Sequence, residues 1–150
     1  MSDAEAVRLL LFRVGEVVFA AEAERVREIL PRLAPTRIPG APSVVAGLVN
    51  VRGTLVTVVE GWRALGQSEP PSPDAGPGTT VLLEVRGGSK VLGFTVDEVV
   101  DLLSVNGEEL ERRQALAGMD PTLVRAVGRR AGQLFVVLDT DALLTPILSS

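Results

Sequence analysis

The side chains that most often carry out enzyme chemistry are scarce in this sequence. Its 150 residues include no histidine and no cysteine. Imidazole-activated nucleophiles and thiolate metal sites therefore cannot be assembled from it. The remaining route to catalysis is a pair of carboxylates, and three acidic clusters are candidates: Asp97-Glu98, Glu108-Glu109 and Asp139-Thr140-Asp141.

Each acidic cluster also has a simpler structural interpretation. Asp97 and Glu98 are neighbours, and adjacent residues of a strand point to opposite faces of the sheet, so we do not expect them to share a site. The cluster at 108–111 lies in a polar stretch that is typical of a solvated helix face. The cluster at 139–141 is placed to cap a final helix. The sequence therefore predicts no enzymatic activity.

A phosphate-binding loop is another common chemical motif, and the sequence has only a weak candidate for it. Gly87-Gly88-Ser89-Lys90 lacks the upstream glycine and the spacing of a P-loop, and it lies between two β-prone runs rather than before a helix. We interpret it as a hairpin turn. Neither a cofactor nor a metal ion is therefore expected.

Charge and composition argue against two further classes of partner. The net charge of −4 and the isoelectric point near 4.9 do not favour general binding to nucleic acid or to an anionic membrane surface. Four Phe, one Trp and no Tyr are too few for the stacking groove of an OB-fold nucleic-acid binder. The apolar runs are far shorter than the roughly 20 residues of a membrane helix, and the acidic N-terminus is unlike a signal peptide. We expect a cytoplasmic protein without direct membrane insertion.

Short β-prone runs separated by glycine turns make up most of the chain. The run at 54–60 is nearly all β-favouring, which indicates burial on both faces. Four prolines within 67–78 predict a surface loop between two similar-sized sets of strands, and hence two small barrels in an all-β fold. The predicted strands are 7–14, 17–20, 46–51, 54–60, 79–85, 90–96, 99–105, 123–127 and 134–138.

Helices are predicted at only a few places. Ala23, Val26, Ile29 and Leu30 fall on one face at helical spacing, which predicts a short amphipathic helix over Glu22–Leu30. The other predicted helical segments are a turn at 61–66, a polar segment at 106–113 capped by Asn106, and a terminal helix at 140–144 that ends before Pro146.

Three segments, in this order along the chain, resemble the CheW-like domain. The Asn-x-Arg-Gly segment is the most specific of them, and the resemblance runs from about Val7 to Leu144. The segments are Leu10-Leu11-Phe12-Arg13-Val14-Gly15 followed by Val26-Arg27-Glu28-Ile29, then Gly47-Leu48-Val49-Asn50-Val51-Arg52-Gly53 followed by an apolar strand ending in Glu60, and then Gly93-Phe94-Thr95-Val96-Asp97-Glu98-Val99.

The resemblance implies an all-β fold with short helices, built of two interleaved five-stranded SH3-like β-barrels with a hydrophobic groove between them. It implies one CheW-like domain at 7–146, whose halves at 7–66 and 79–146 are joined by the Pro-rich loop at 67–78. An N-terminal tail at 1–6 precedes it. A groove of this kind suits an amphipathic helix.

The same resemblance implies a non-enzymatic adaptor function in chemotaxis or motility signalling. Members of the family bridge the regulatory domain of a CheA-type histidine kinase and the cytoplasmic hairpin tip of a chemoreceptor. The sequence does not distinguish flagellar chemotaxis from twitching or gliding. Two alternatives stay open: a β-barrel binding module of another class, and a receptor docking factor that does not bind the kinase.

Five residues are candidates for partner binding. Arg52 matches the family arginine implicated in this role, Glu28 matches an acid on the same surface, and Val26 matches an apolar groove position. Asn50 belongs to the Asn-x-Arg-Gly motif, and Val99 is a candidate for lining the groove. Structural alternatives are a salt bridge over the turn for Arg52, an exposed helix face for Glu28 and core packing for the two valines.

One segment departs from the family pattern. Glu60-Gly61-Trp62-Arg63 stands where members commonly have Asp-Leu-Arg, so that Trp62 occupies the arginine position. The partner contact made from this position in the family is therefore not carried over to this chain.

Overall fold

Strands account for most of the computed structural model, which describes residues 6–85, 88, 90–112 and 119–148. The predicted all-β class with short helices is confirmed. In chain order the strands are β1 (Ala6–Val14), β2 (Val17–Glu22), β3 (Val26–Pro31), β4 (Val45–Val51), β5 (Thr54–Val59), β6 (Thr79–Val85), β7 (Lys90–Val96), β8 (Glu98–Asn106), β9 (Glu111–Arg112), β10 (Val124–Arg130) and β11 (Gln133–Leu138). The described helices are α1 (Gly61–Ala64) and α2 (Thr140–Leu148), with 3-10 turns at Ala23–Arg25, Pro73–Ala75, Gly107–Glu109 and Pro121–Leu123.

The strands form two sheets, and each sheet combines strands from both sides of the Pro-rich loop. One sheet has the order β8-β1-β2-β11-β10-β9, and the other has the order β3-β6-β7-β5-β4. β2 pairs with β11 and β5 pairs with β7 in parallel, whereas the other neighbours are antiparallel. The two parts of the chain are therefore interleaved. Closure of each sheet into a barrel stays a prediction.

The alternating direction of side chains along β1 explains how the two sheets share one core. Leu10, Phe12 and Val14 point into a large apolar cluster that contains side chains of both sheets. Leu9 and Leu11 point into a smaller cluster within the six-stranded sheet. Successive side chains of a strand project to opposite faces, so β1 is buried on both faces. β2 and β11 divide their side chains between the same two clusters.

Aromatic rings and α2 contribute to the shared core. Phe12 of the six-stranded sheet lies edge-on to Phe94 of the five-stranded sheet, with ring centroids 6.0 Å apart. Leu143 and Leu144 of α2 pack into the same cluster. Burying each such side chain contributes roughly 1.5–3 kcal/mol, so the shared core is the main connection between the sheets.

The predicted helix over Glu22–Leu30 is wrong. Only Ala23–Arg25 forms a 3-10 turn, and the chain continues as β3, which pairs antiparallel with β6. Exposure alternates along β3 with the period of two that a strand requires. A register shift between Val26 and Glu28 marks a bulge in this strand. Because the segment is short, the same spacing of apolar residues is compatible with a bulged strand as well as with a helix.

Three smaller predictions need correction. Leu55 is 66 % exposed, so β5 is not buried on both faces along its whole length. α2 runs on through Pro146 instead of ending before it. The Asn106 side chain caps as predicted, by accepting a hydrogen bond from the Glu108 backbone N–H, but the capped helix is one 3-10 turn followed by β9. Position 113, at the end of that predicted segment, lies outside the described residues.

The predicted loops fall between the observed strands. The Pro-rich loop at 67–78 contains one 3-10 turn and, as described, no strand. Of the predicted turn at 86–89, only Gly88 is among the described residues. β6 and β7 nevertheless pair in the hairpin register that this turn implies, with Val85 opposite Lys90.

Candidate partner-binding surface

The hairpin turn between β4 and β5 presents Arg52 to solvent. Val51 pairs with Thr54 across a two-residue turn, in which Arg52 and Gly53 have φ angles of 50° and 88°. Positive φ at both central residues is the requirement of a type I′ turn, whose first position favours Asn, Asp or Gly. The Arg52 side chain is 69 % exposed. The turn therefore holds a long cation in a backbone conformation that disfavours it.

Asn50 stabilises this turn. Its Oδ1 accepts a hydrogen bond from the Gly53 backbone N–H at 2.7 Å. An asparagine side chain that bonds the backbone nearby is a common way to fix a tight turn. The Asn-x-Arg-Gly motif thus has a local physical basis, because the amide fixes the turn that displays Arg52.

Arg52 forms an ion pair with Glu28 that joins the two edges of the five-stranded sheet. Glu28 belongs to β3 at one edge, and Arg52 follows β4 at the other edge. In a flat sheet, strands about 4.8 Å apart would separate these edges by roughly 19 Å, which is beyond the reach of the two side chains. The sheet therefore curls until β3 approaches the β4–β5 turn.

The ion pair shifts the pKa of both partners away from neutral pH. The hydrogen bond from Arg52 holds the pKa of the Glu28 carboxyl below its ordinary value; desolvation opposes this effect, and the positive charge of Arg52 adds to it. The hydrogen bond to Glu28 and the negative charge of that carboxyl raise the pKa of Arg52. Both groups are therefore charged at neutral pH, and the surface presents an exposed cation beside a partly covered anion.

Val26 and Val99 are half-buried and lie on different sheets. Val26 precedes Glu28 by two residues on β3, whereas Val99 lies on β8 opposite Phe12 of β1. Both valines pack against the shared core. The structure thus brings Glu28 and Arg52 into contact, with Asn50 at the same turn, and places Val99 on the other sheet.

Two exposed apolar residues, Ile29 and Leu55, were not indicated by the sequence. Leu55 lies opposite Asn50 in the β4–β5 ladder, whereas Ile29, which follows Glu28 on β3, is 45 % exposed on the opposite face of that strand. A run of β-favouring residues does not reveal which face is covered, and the helix prediction placed Ile29 on an apolar face. We call Glu28, Asn50, Arg52 and Leu55 the Arg52 surface. Protein interfaces commonly combine apolar side chains with arginine in this way.

The acidic cluster Asp97-Glu98 has a structural role, because both of its members bind Arg13. Asp97 is buried and accepts hydrogen bonds from the Gly15 backbone N–H and from Arg13. Glu98 pairs with the same Arg13 guanidinium. Asp97 lies in a bend between β7 and β8 and is buried, whereas Glu98 at the start of β8 is exposed, so the two carboxylates bind different nitrogens of Arg13.

The other two acidic clusters also serve local structure. Asp139 Oδ1 accepts a hydrogen bond from the Ala142 backbone N–H at 3.0 Å and so caps α2 as predicted. Glu109 completes a capping box with Asn106.

Among the described residues no group of three or more Asp or Glu side chains is placed to hold a metal ion. The same part of the chain contains no helix with the length and apolar character needed to span a membrane.

The described structure thus consists of two interleaved sheets, with acids engaged in caps and ion pairs and one exposed surface of mixed ionic and apolar character. The sequence matches the CheW-like domain over residues 8–147. The chain therefore belongs to the CheW-like domain family, as the sequence motifs predicted.

Individual relatives agree with this assignment. The chain is 28 % identical over 137 residues to the chemotaxis protein CheW of Rhizobium meliloti (strain 1021), which spans 89 % of this chain and 84 % of that protein. It is 31 % identical over 103 residues to the probable chemotaxis protein CheW of Rhizobium etli, spanning 69 % and 64 %. The crystal structure of the scaffolding protein TtCheW from Thermoanaerobacter tengcongensis matches with a TM-score of 0.82 over 93 % of both chains at 17 % identity, which confirms the fold.

Proposed function

We propose that this protein is a non-enzymatic scaffold that couples chemoreceptors to a CheA-type histidine kinase. The observation that carries the proposal is the Glu28–Arg52 ion pair, displayed at the joined edges of the five-stranded sheet in a chain of the CheW-like family. Similarity to relatives that are named as chemotaxis proteins and as a scaffolding protein supports the same role.

The backbone conformation of Arg52 supports a binding role. A residue with a Cβ is disfavoured in the left-handed region, and Asn or Gly would satisfy this turn more easily. The Arg52 side chain is also too exposed to contribute to core packing. An arginine at a position where the fold favours a small residue is consistent with a contact to a partner.

The proposed partners are the regulatory domain of the kinase and the cytoplasmic hairpin tip of the receptor. The Arg52 surface offers them paired charges beside the exposed side chain of Leu55. Val26 and Val99 are proposed to line an apolar groove for an amphipathic receptor helix. Each contact is expected to bury about 1,200 Å² or less in total, which is typical of transient interfaces.

The scaffold acts without chemistry of its own. It raises the local concentration of kinase beside the receptor and fixes the geometry between them, so that binding at one site makes binding at the other effectively intramolecular. We place it in the cytoplasm, recruited to membrane receptor arrays through its partners.

Calorimetric titration against the regulatory domain of the CheA-type kinase from the same organism tests the kinase contact. The unmodified protein is expected to bind saturably in a one-to-one complex. Arg52→Glu and Glu28→Lys are each expected to bind about tenfold or more weakly, because each places a charge of the wrong sign at the interface. The matched control is the double variant Glu28→Arg with Arg52→Glu, which keeps an ion pair within the protein but reverses the charges presented to a partner.

The double variant separates a binding role from a structural one. If the ion pair only holds the sheet edges together, the double variant binds the kinase domain as well as the original protein does. If the pair contacts the kinase, the double variant binds as weakly as the single variants, although its melting temperature is as high as that of the original protein. No binding of the unmodified protein up to about 100 µM would overturn the kinase contact. Titration with a receptor hairpin-tip fragment then distinguishes a receptor docking factor, which binds it, from a binding module of another class, which does not.

A further inference from the structure

A small cleft lies between the segment that connects β3 to β4 and the start of α1. Its volume is about 270 Å³. Residues of the segment 32–46 line one side, and Glu60, Arg63 and Thr95 line the other. None of its described lining residues belongs to the Arg52 surface, so the cleft is a separate feature of the molecule.

Three arginines line this cleft. Arg63 donates a hydrogen bond to Glu60 at 3.1 Å and stacks on the ring of Trp62, with its guanidinium carbon 4.4 Å from the ring centroid. Arg32 and Arg37 are exposed and have no acidic partner among the described side chains. Most other described arginines of this acidic chain are paired with its own carboxylates. Two unpaired arginines at one cleft therefore create a local positive potential.

Aliphatic side chains complete the lining. Leu33, Ile38, Pro42 and Val58 lie beside the arginines, and Ile38 is exposed. Polar donors alone would suit a small inorganic anion, whereas the combined lining suits a ligand that carries both carboxylates and aliphatic groups. The volume fits one or two side chains, which is less than a drug-sized ligand occupies.

We propose that this feature, here called the arginine cleft, binds a short acidic and hydrophobic segment of a partner protein. Carboxylates of the segment pair with Arg32 and Arg37, because a guanidinium offers two parallel N–H donors to a carboxylate. An aliphatic side chain of the segment packs on Ile38. Arg63 is shared between Glu60 and Trp62, so a second carboxylate nearby changes the environment of the sole tryptophan.

The test uses a short soluble peptide that alternates glutamate and leucine, with a glutamine–leucine peptide as its neutral control. Binding is followed by the fluorescence of Trp62 and by calorimetry, at low and at high salt. The acidic peptide is expected to bind saturably and about tenfold more weakly at high salt, where charges are screened over a shorter distance. The neutral peptide is expected to show no saturable binding.

Paired variants locate the site. The double variant Arg32→Gln with Arg37→Gln is expected to lower affinity for the acidic peptide about tenfold, with the melting temperature unchanged. The matched control, Arg8→Gln with Arg129→Gln, removes two other exposed arginines that have no acidic partner among the described side chains. It is expected to leave the affinity within about twofold of the original. Arg52→Asn should also leave it unchanged, which keeps this test independent of kinase binding.

Three results would overturn the proposal. Equal losses of affinity in the two double variants would show a general attraction between charges and not a site. A lack of saturable binding to the acidic peptide would remove the ligand class. Displacement of the peptide by inorganic phosphate at comparable affinity would show a simple anion site, in which the aliphatic lining plays no part.

Discussion

Glu28 is the residue whose ionisation reports most directly on the Arg52 surface. The hydrogen bond from Arg52 holds the pKa of its carboxyl below the ordinary value of about 4.3. Because the folded-state pKa is lowered, the contribution of the pair to stability is complete above the ordinary pKa. It is lost as the pH falls through the lower, folded-state pKa. The surface therefore keeps both charges throughout the neutral range.

An NMR titration of the side-chain carboxyl groups tests this coupling. The midpoint of Glu28 is expected below its ordinary pKa in the original protein and close to it in Arg52→Asn, where the hydrogen bond is lost. Asp120 provides an internal control, because hydrogen bonds from the backbone and side chain of Thr122 lower its pKa elsewhere in the fold. Its midpoint should stay low in both proteins. An unchanged Glu28 midpoint in the variant would show that Arg52 is not its partner in solution.

Two turns allow backbone strain to be separated from binding. Arg52 and Ala131 both have positive φ at the first position of a two-residue hairpin turn whose second residue is glycine. Asparagine tolerates this conformation better, so Ala131→Asn is expected to stabilise the protein by up to about 1 kcal/mol without changing kinase binding. Arg52→Asn is expected to keep the melting temperature yet weaken kinase binding about tenfold. Thermal denaturation and calorimetric titration together would contradict this if Arg52→Asn melted lower and bound normally.

Among the secondary-structure elements, strands bounded by glycine turns could be predicted closely from sequence. The predicted strands at 79–85 and 90–96 agree with β6 and β7, because each is a β-favouring run between turn signals. The segment 22–30 could not be predicted in this way. Its apolar residues fit two periodicities, and the interaction that decides between them is the pairing of β3 with β6, which lies far along the chain.

The segment that departs from the family pattern has a steric reason for its glycine. A Cβ on Gly61 would lie 2.0 Å from the Thr95 carbonyl oxygen and 3.0 Å from the Phe94 ring. The Gly61 backbone N–H also donates a hydrogen bond to Thr95 Oγ1 at 3.0 Å. α1 therefore lies directly against β7, and a larger residue at its first position would force the two apart.

Gly61→Ala is therefore expected to destabilise the protein by about 3 kcal/mol, since the clash is with backbone and no rotamer relieves it. Gly66→Ala is the matched control. Gly66 has a φ of 79° and open space where a Cβ would lie. Its substitution is therefore expected to cost only the strain of placing alanine in the left-handed region, about 1 kcal/mol. Urea denaturation measures both changes. Effects of equal size would contradict the close packing of α1 on β7.

At the scale of the whole molecule, the Arg52 surface exists only because of the tertiary fold. The resemblance already assigned Glu28 and Arg52 to one surface, but their direct contact depends on the curl that brings β3 to the β4–β5 turn. The exposure of Leu55 likewise depends on which face of the sheet is covered. Residue spacing carries no information about either property, so the sequence could suggest the charged members of the surface but not its assembly.

A hydrogen-bond network of Arg13, Gly15, Asp97 and Glu98, here called the polar joint, connects the two sheets where the chain passes from β7 to β8. Asp97, whose side chain is 3 % exposed, accepts hydrogen bonds from the Gly15 backbone N–H at 3.0 Å and from Arg13 Nη1 at 3.1 Å. Arg13 also donates to the Gly15 carbonyl oxygen and to Glu98. The bend that leaves the five-stranded sheet is thus tied to the β1–β2 turn of the six-stranded sheet.

Because this joint and the shared core connect the sheets, we expect the protein to unfold as one cooperative unit. Asp97→Ala removes a buried acceptor and leaves Arg13 without that partner, which is expected to destabilise the whole protein by about 3 kcal/mol. Glu98→Gln changes an exposed acid bound to the same arginine and is expected to cost less than about 0.5 kcal/mol. The pair of variants therefore compares the buried and the exposed half of one joint.

Urea unfolding followed by two probes measures both the size of the effect and the coupling. Trp62 fluorescence reports the packing of α1 and the shared core around it, whereas far-ultraviolet circular dichroism reports the secondary structure of both sheets. Coincident midpoints in the original protein and in both variants are expected. They would mean that the Arg52 surface does not unfold separately from the six-stranded sheet, as a scaffold that fixes the geometry of its partners requires. Separate midpoints would show that the sheets unfold independently and that a single rigid scaffold is the wrong description.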